Sequence, residues 1–474
     1  MTKVTPKMNT VLRAISLFFL MFGWFHLALA QHGNMESIEN DPDKTLFGKV
    51  LKEGRFEFHL RSYFMATQNQ GNLLDYQTWG TGAGIGYFSP RWKGLGMGFS
   101  GFFVFRHFEN NVTATDPLTQ SSNRYEILLY DLQNPNNHKD LDRLEEFFLS
   151  YEKESLNIWV GRHHFESPFL NASDNRMRPN LFSGISVGFK PGKLGVKASW
   201  FSHVISRGSL EWLTIEESFG LYNTGRNPLE SEESYKHHID SKGIVSLGFD
   251  YASDHANIQS WSYLTEGVFG LSMLQATGQL SLNSGPEFLW GIQGFYESSV
   301  GNGGNESPEK AYILPGEQTG GIGLSGGLKW ATSKLTMNYL KISDNGRFLF
   351  PREWGREQFF VSLPRERFEG LGGVNAKMIK YDQSFVDEKL KIEMGFSYID
   401  NPDQDDFYLN KYGIPDYFQV SGLVDYQLKG FFRGLDLQLL VVGKKEAPSQ
   451  ELSPENIINK VNMINYSFIV DYRF

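Results

Sequence analysis

Residues 55–64 read RFEFHLRSYF. Phe56, Phe58, Leu60 and Phe64 fall on one side of an extended chain, and Arg55, Glu57, His59, Arg61 and Tyr63 on the other. Alternation with a period of two specifies a strand with one face for an apolar neighbour and one for water. The pattern returns along the chain. In 435–441, LDLQLLV, Leu435, Leu437, Leu439 and Val441 oppose Asp436 and Gln438. In 390–398, Leu390, Ile392, Met394, Phe396 and Tyr398 oppose Lys391, Glu393, Gly395 and Ser397. Roughly eighteen such segments follow one another, starting near residues 55, 76, 94, 145, 156, 182, 193, 243, 257, 270, 286, 320, 334, 372, 388, 417, 435 and 462. No helix-period stretch competes with them.

The connections alternate in length. Residues 89–93, 152–155, 191–192, 253–256, 283–285 and 332–333 are short, whereas 108–144, 205–242, 298–319, 344–371 and 401–417 are long. One rim of tight turns and one of long loops is the signature of an up-and-down barrel with an even strand number. A soluble β-sandwich does not sort its loops this way. The expected fold is therefore all-β: a transmembrane antiparallel β-barrel of 18 strands over 55–474, closed because an open edge in lipid leaves backbone groups unpaired. A barrel of that size is wide enough for an aqueous lumen.

Composition agrees. The 474 residues are 40% hydrophobic, which excludes a disordered chain, and 15% aromatic. With 45 Lys+Arg against 54 Asp+Glu the net charge is −9, which argues against a nucleic-acid partner. Cysteine is absent, so disulfides, thiolate metal sites and a Cys nucleophile are excluded. At the N-terminus, Lys3, Lys7 and Arg13 precede the uncharged run AISLFFLMFGWFHLAL at 14–29, and Ala28 and Ala30 suit a cleavage site before Gln31. Residues 1–30 read as a secretory signal peptide and 31–54 as a short periplasmic segment, which points to the bacterial outer membrane.

The end of the chain, INYSFIVDYRF at 464–474, places Ile464, Tyr466, Phe468, Val470, Tyr472 and Phe474 on one face, with Ile469 an exception on the other. It resembles the terminal strand of bacterial outer-membrane barrels. Residues 170–184, LNASDNRMRPNLFSG, follow the strand IWVGRHHF. This stretch resembles the third-loop region of OprD-type substrate-specific porins, whose pattern is matched by Asn171, Asp174, Arg176, Pro179, Phe182 and Gly184. A second stretch, PREWGREQFFVSLPRERFEG at 351–370, is similar to one in relatives from the Bacteroidetes branch of that family. The resemblance implies an eighteen-stranded barrel, an in-folded loop that narrows the pore, and basic lumen residues that guide small carboxylate-bearing solutes.

A passive pore needs fixed charges and a constriction rather than a catalytic set, so no enzyme activity and no cofactor or metal are expected. Strand parity nominates Arg55, His59 and Arg61, then Arg106, Lys197, Lys329 and Lys377, as inward positive groups. Arg61 and Arg106 lead, because guanidinium binds carboxylate through two parallel hydrogen bonds. Glu57, Glu146 and Asp436 oppose them, and each charge also reads as a solvated wall group. Asn171, Asp174, Arg176 and Arg178 mark the constriction loop, where a salt bridge or cap competes with a solute role. Arg352, Arg356, Arg365 and Arg367 alternate with Glu353, Glu357, Glu366 and Glu369, which favours a self-bridged loop over a binding patch at the mouth.

Gly80, Gly82, Gly84 and Gly86 lie at strand period with no helix after them, so they leave lumen space rather than cradle a phosphate. His163–His164 and His237–His238 are adjacent pairs that point opposite ways on a strand, which disfavours a shared metal. Trp79, Tyr87, Trp261 and Tyr263 are assigned to interfacial belts. The expected partners are outer-membrane lipid and small solutes, with a monomer or homotrimer both open. The alternative function is adhesion or partner docking through the long loops.

Overall fold

Each alternating segment forms a strand in the computed structural model, which describes residues 53–222, 224–229, 231–281, 285–385, 389–447 and 452–474. The expected signal peptide and nearly all of the 31–54 segment lie outside the described residues. In chain order the strands are β1 (Arg55–Asn69), β2 (Tyr76–Phe88), β3 (Leu95–Asn110), β4 (Asp142–Lys153), β5 (Leu156–His163), β6 (Leu181–Phe189), β7 (Leu194–Ile205), β8 (Leu213–Thr214), β9 (Ile244–Ala252), β10 (Ala256–Thr265), β11 (Phe269–Ser281), β12 (Glu287–Ser299), β13 (Gln318–Trp330), β14 (Ser333–Ile342), β15 (Asn375–Phe385), β16 (Leu390–Asp400), β17 (Tyr417–Gln427), β18 (Leu435–Glu446) and β19 (Met463–Arg473). The two-residue β8 only pads the end of β7, which pairs directly with β9. Eighteen strands therefore make the wall, all antiparallel, and β19 closes on β1 from His59↔Arg473 to Asn69↔Met463.

The final phenylalanine completes that seam. Phe58 and Phe474 exchange two backbone hydrogen bonds, of 2.9 and 3.1 Å, and their rings stack 5.0 Å apart. Outward positions are apolar around the wall: Phe56, Ile85, Phe105, Leu149, Ile322 and Val420 are all exposed. Among the described residues no helix is long and apolar enough to cross a membrane.

The interior differs from the uniformly wet lumen expected. Inward residues of β9 to β15, among them Ile244, Leu271, Met273, Phe295, Leu340 and Met378, are buried in one apolar cluster. Trp261 and Tyr263 belong to this cluster, so they are not interfacial belt residues. The partners are Phe348, Phe350, Trp354, Phe359 and Phe368 of the connection between β14 and β15, which folds inward. Each such side chain contributes roughly 1.5–3 kcal/mol through removal from water. Ile469, the odd apolar residue of the last strand, also points inward and packs in a second cluster with Tyr63, Phe102 and Met177. Gly80, Gly82 and Gly84 make room for that cluster rather than for lumen water: a Cβ on Gly82 would lie 2.2 Å from the Phe102 ring and 3.0 Å from the Met177 methyl.

Two in-folded loops and an arginine-lined vestibule

Two connections meet inside the barrel. The 164–180 loop joins β5 to β6, and the 343–374 loop joins β14 to β15. Phe169 is the hub of their contact, with ring centroids 5.3–6.0 Å from those of Tyr263, Phe348, Phe350 and Phe359. Beside it the fully buried Asn171 acts as a strand-like clasp. Its side-chain amide donates to the Arg356 carbonyl at 2.9 Å, and its carbonyl accepts from the Arg356 N–H at 3.1 Å. The crossing requires a glycine, because a Cβ on Gly355 would sit 2.2 Å from the Phe169 carbonyl oxygen.

A second junction is ionic. Asp174, in the left-handed region at φ 57°, accepts from Arg176 of its own loop and from Arg365 of the other, both at 2.7 Å. Arg207 stands 3.9 Å from its second oxygen. Burial alone raises the Asp174 carboxyl; the guanidiniums of Arg176, Arg365 and Arg207 outweigh it and hold the group well below the usual carboxylate range. Arg365 is itself held at φ 64°. Its remaining donors reach the barrel wall at Asn465 (3.0 Å), Ser467 (2.9 Å) and Tyr63 (3.1 Å). One side chain thus ties both loops to β1 and β19.

The rest of the 343–374 loop is partly self-bridged, as its sequence suggests. Arg352 pairs with Glu369 at 3.0 Å and Arg367 with Glu357 at 3.2 Å. The loop lies within the barrel, however, not across its mouth. Lys411 reaches Glu369 at 3.4 Å, and Arg347 bridges Glu233 and Glu317 at 3.4 and 3.3 Å, so neighbouring loops clamp it from outside.

Above the two loops, toward the long-loop rim, is a cavity of about 600 Å³. Arg124, Arg176, Arg207, Arg352, Arg365 and Arg367 line it together with Lys236 and Lys460, against only Asp174 and Glu455. Below them, toward the short turns, a cavity of about 540 Å³ is lined by Glu166, Lys197, Asp250, Gln259, Trp261 and Gln358 among others. The 164–180 loop contributes to both, through Glu166–Pro168 below and Asp174 and Arg176 above.

The residues nominated from parity divide. Arg61 faces inward, but its guanidinium is engaged: Nε lies 2.7 Å from Asp471, and Nη1 donates to the Arg176 carbonyl at 2.7 Å. It braces the 164–180 loop. His59 shares Asp471 at 3.0 Å. Arg106 is enclosed, 4.4 Å over the Tyr130 ring, bound to the carbonyls of Pro135 and Asn137 and paired with Glu109. Arg55 pairs with Glu57 and Lys329 with Glu287 near the short-turn rim. Lys197 opens into the lower cavity.

Lys377 does not face inward as parity predicts. It shares its strand face with the exposed Ile379, opposite the buried Ala376 and Met378, and so points outward. The inward lysine of β15 is Lys380, bridged to Asp382 and Glu393 at 3.0 and 2.7 Å. Arg178 is fully buried and donates to the carbonyls of Leu141 and Tyr130 at 3.2 and 2.5 Å, which anchors the loop base. Burial, with Arg143 nearby, pulls its pKa down to about 9. Sequence reasoning missed Arg124, Arg207, Lys236 and Lys460, which lie in long aperiodic loops where no spacing marks them.

No protein-family model matches the chain, and no curated relative matches it. Solved structures do. The fold is similar to that of Acinetobacter baumannii OccAB2, with a TM-score of 0.70 at 14% identity over 90% of this chain and 99% of that one. Pseudomonas aeruginosa OccK8 (OprE) gives 0.68 at 14% identity over 89% and 98%. Pseudomonas aeruginosa OpdK, solved with vanillate, gives 0.64 at 14% identity over 90% and 99%. These are OprD-type porins, so the expected family resemblance is matched at the level of fold.

Proposed function

We propose that the chain is an outer-membrane pore for passive, partly selective diffusion of small polar solutes that carry carboxylates. The observation that carries this reading is the position of the arginine-lined vestibule: it sits directly above the two loops that fill the waist of a closed barrel. The apolar outer wall suits lipid, and closure leaves no backbone edge to satisfy there. Six arginines within a low-dielectric cylinder attract anions and concentrate them beside the two in-folded loops. Guanidinium groups suit this role because they stay charged when buried and hold carboxylate in a planar fork. Below the waist the mixed charges of Glu166, Lys197 and Asp250 present no single-sign trap, which favours release.

The fold likeness to OpdK, whose structure contains the aromatic carboxylate vanillate, supports this solute class. Planar-bilayer recording tests the reading. Steady ohmic steps with a reversal potential on the anion side are expected. An inserted, folded barrel that passes no current would refute it and leave the long loops as a docking surface.

A further inference from the structure

We propose that the vestibule is a site for doubly charged anions, solutes with two carboxylates or one phosphate monoester, seated between Arg207 and Arg367. This refines the pore reading and rests on it for the solute's route. Charge balance is the first argument. Three guanidiniums, of Arg176, Arg365 and Arg207, face the single carboxylate of Asp174, which leaves two positive charges unmatched at the cavity floor. Glu357 meets Arg367 through Nε alone, and Glu369 is shared between Arg352 and Lys411, so the Nη1 edge of Arg367 adds to this positive excess. A monoanion leaves one of the two charges bare, whereas a dianion matches both.

Unmet hydrogen bonds are the second argument. The Arg207 side chain is 5% exposed, yet its Nε and Nη1 have no hydrogen-bond partner. Its Nη2 lies 3.9 Å from Asp174, and Tyr222 covers the guanidinium face at 5.4 Å. Arg367, 10% exposed, donates from Nη2 to the Gly355 carbonyl at 2.7 Å, while its Nη1 has no partner. Both guanidiniums line the same cavity and repel each other. Buried N–H groups without a protein partner take an acceptor from water or from a solute oxygen. Two like charges held together without one are stabilised by an anion that spans them.

The test uses the full mature protein. In planar bilayers at fixed ionic strength and pH 7.5, block of the chloride current is titrated with propionate, succinate and glycerol phosphate. The half-blocking concentration of a dianion is expected to be at least about tenfold below that of propionate, since a second charge-assisted contact is added. Arg207→Gln should reduce that ratio to about threefold or less. A preference shown by succinate alone or by glycerol phosphate alone supports the site and identifies the acid it takes. Equal half-blocking concentrations for all three in the wild-type protein overturn the proposal, whatever the variant does. Calorimetric titration in detergent separates the two readings. A dianion preference there without any conductance refutes the pore and leaves the site. Steady conductance with no preference in either assay refutes the site and leaves the pore.

Discussion

Arg365→Ala removes the side chain that holds the two in-folded loops to the wall. Four interactions are lost: an ionic contact with Asp174 at 2.7 Å and charge-assisted hydrogen bonds from the guanidinium to the neutral oxygens of Asn465, Ser467 and Tyr63 at 2.9–3.1 Å. With the freed partners re-solvated by water, about 1 kcal/mol is lost at each, so local docking weakens by about 4 kcal/mol. The left-handed backbone at position 365 remains strained with alanine there. Barrel stability should change little, because the ladder between β1 and β19 is untouched.

The aromatic end of the loop, Phe348 to Phe359, keeps its packing around Phe169, so only the tip near Leu363–Glu366 releases. A loss of about 4 kcal/mol raises the population of the released tip by up to about a thousandfold. Two measurements read this. Trypsin cleavage at the adjacent Arg367 should accelerate by at least an order of magnitude. Single-channel conductance should rise and become noisier, while Arg365→Lys, which retains one donor to Asp174, falls between. Unchanged proteolysis together with unchanged conductance would show that the aromatic contact and the wall bonds from Gln419 to the Pro364 carbonyl and from Lys444 to the Arg365 carbonyl hold the loop without this side chain, and the reasoning would fail.

Arg106→Gln should leave the reversal potential where it is in the native protein, because Arg106 is enclosed by Tyr130, Glu109 and two carbonyls; a clear shift toward cations would place it in the solute path. Gly355→Ala should spread the loops, since the new Cβ would meet the Phe169 carbonyl, and should cost about 1–3 kcal/mol of local docking, read as faster cleavage of the 343–374 loop. Lys460 lines the vestibule, and burial with Arg124 nearby, partly opposed by Glu455, lowers its pKa to about 7. It is charged below that value and neutral above it, so anion preference should fall between pH 6 and 8; Lys460→Met should flatten this dependence, and a persistent slope in that variant would assign it to the histidines. The Asp174 clasp has a depressed pKa, so its contribution is complete above the ordinary carboxylate value near 3.8 and is lost only as pH drops through the lower folded value; loop protection should therefore hold from pH 7 to 5.

The wall was legible because lipid-side and inward residues alternate wherever the interior is wet. Arg55 to Phe64 illustrates this: Arg61 and Tyr63 are buried and bonded to the in-folded loops, whereas Phe56 and Phe58 are exposed. Loop lengths ordered the strands, since tight turns admit only antiparallel neighbours. The terminal Phe474 was legible for the same reason, as it completes an outward row that β1 continues through Phe58.

Parity failed where the interior is dry. Along β9 to β15 the inward face is also apolar, because it packs against the 343–374 loop, so hydrophobicity no longer tells the two faces apart. The sequence pattern misplaces Trp261, Tyr263 and Lys377 in this sector. Lys377 lies between Ala376 and Met378, which are buried against the loop side of the barrel, and sequence parity alone has no reason to turn a lysine outward there. The site was illegible for a related reason. Asp174 and Arg365 are 191 residues apart, and each lies in a loop without periodicity. What could be read was chemistry without geometry: the charge alternation of 351–370 announced bridges, and two formed within the loop, but Arg365 left the series to bind the other loop and the wall. The same inward fold that conceals the sector's parity carries this arginine to Asp174. The dry half of the barrel and the charged floor of the vestibule are thus two consequences of one loop being drawn inside, and loosening that loop should alter both solute selectivity and the burial of Trp261.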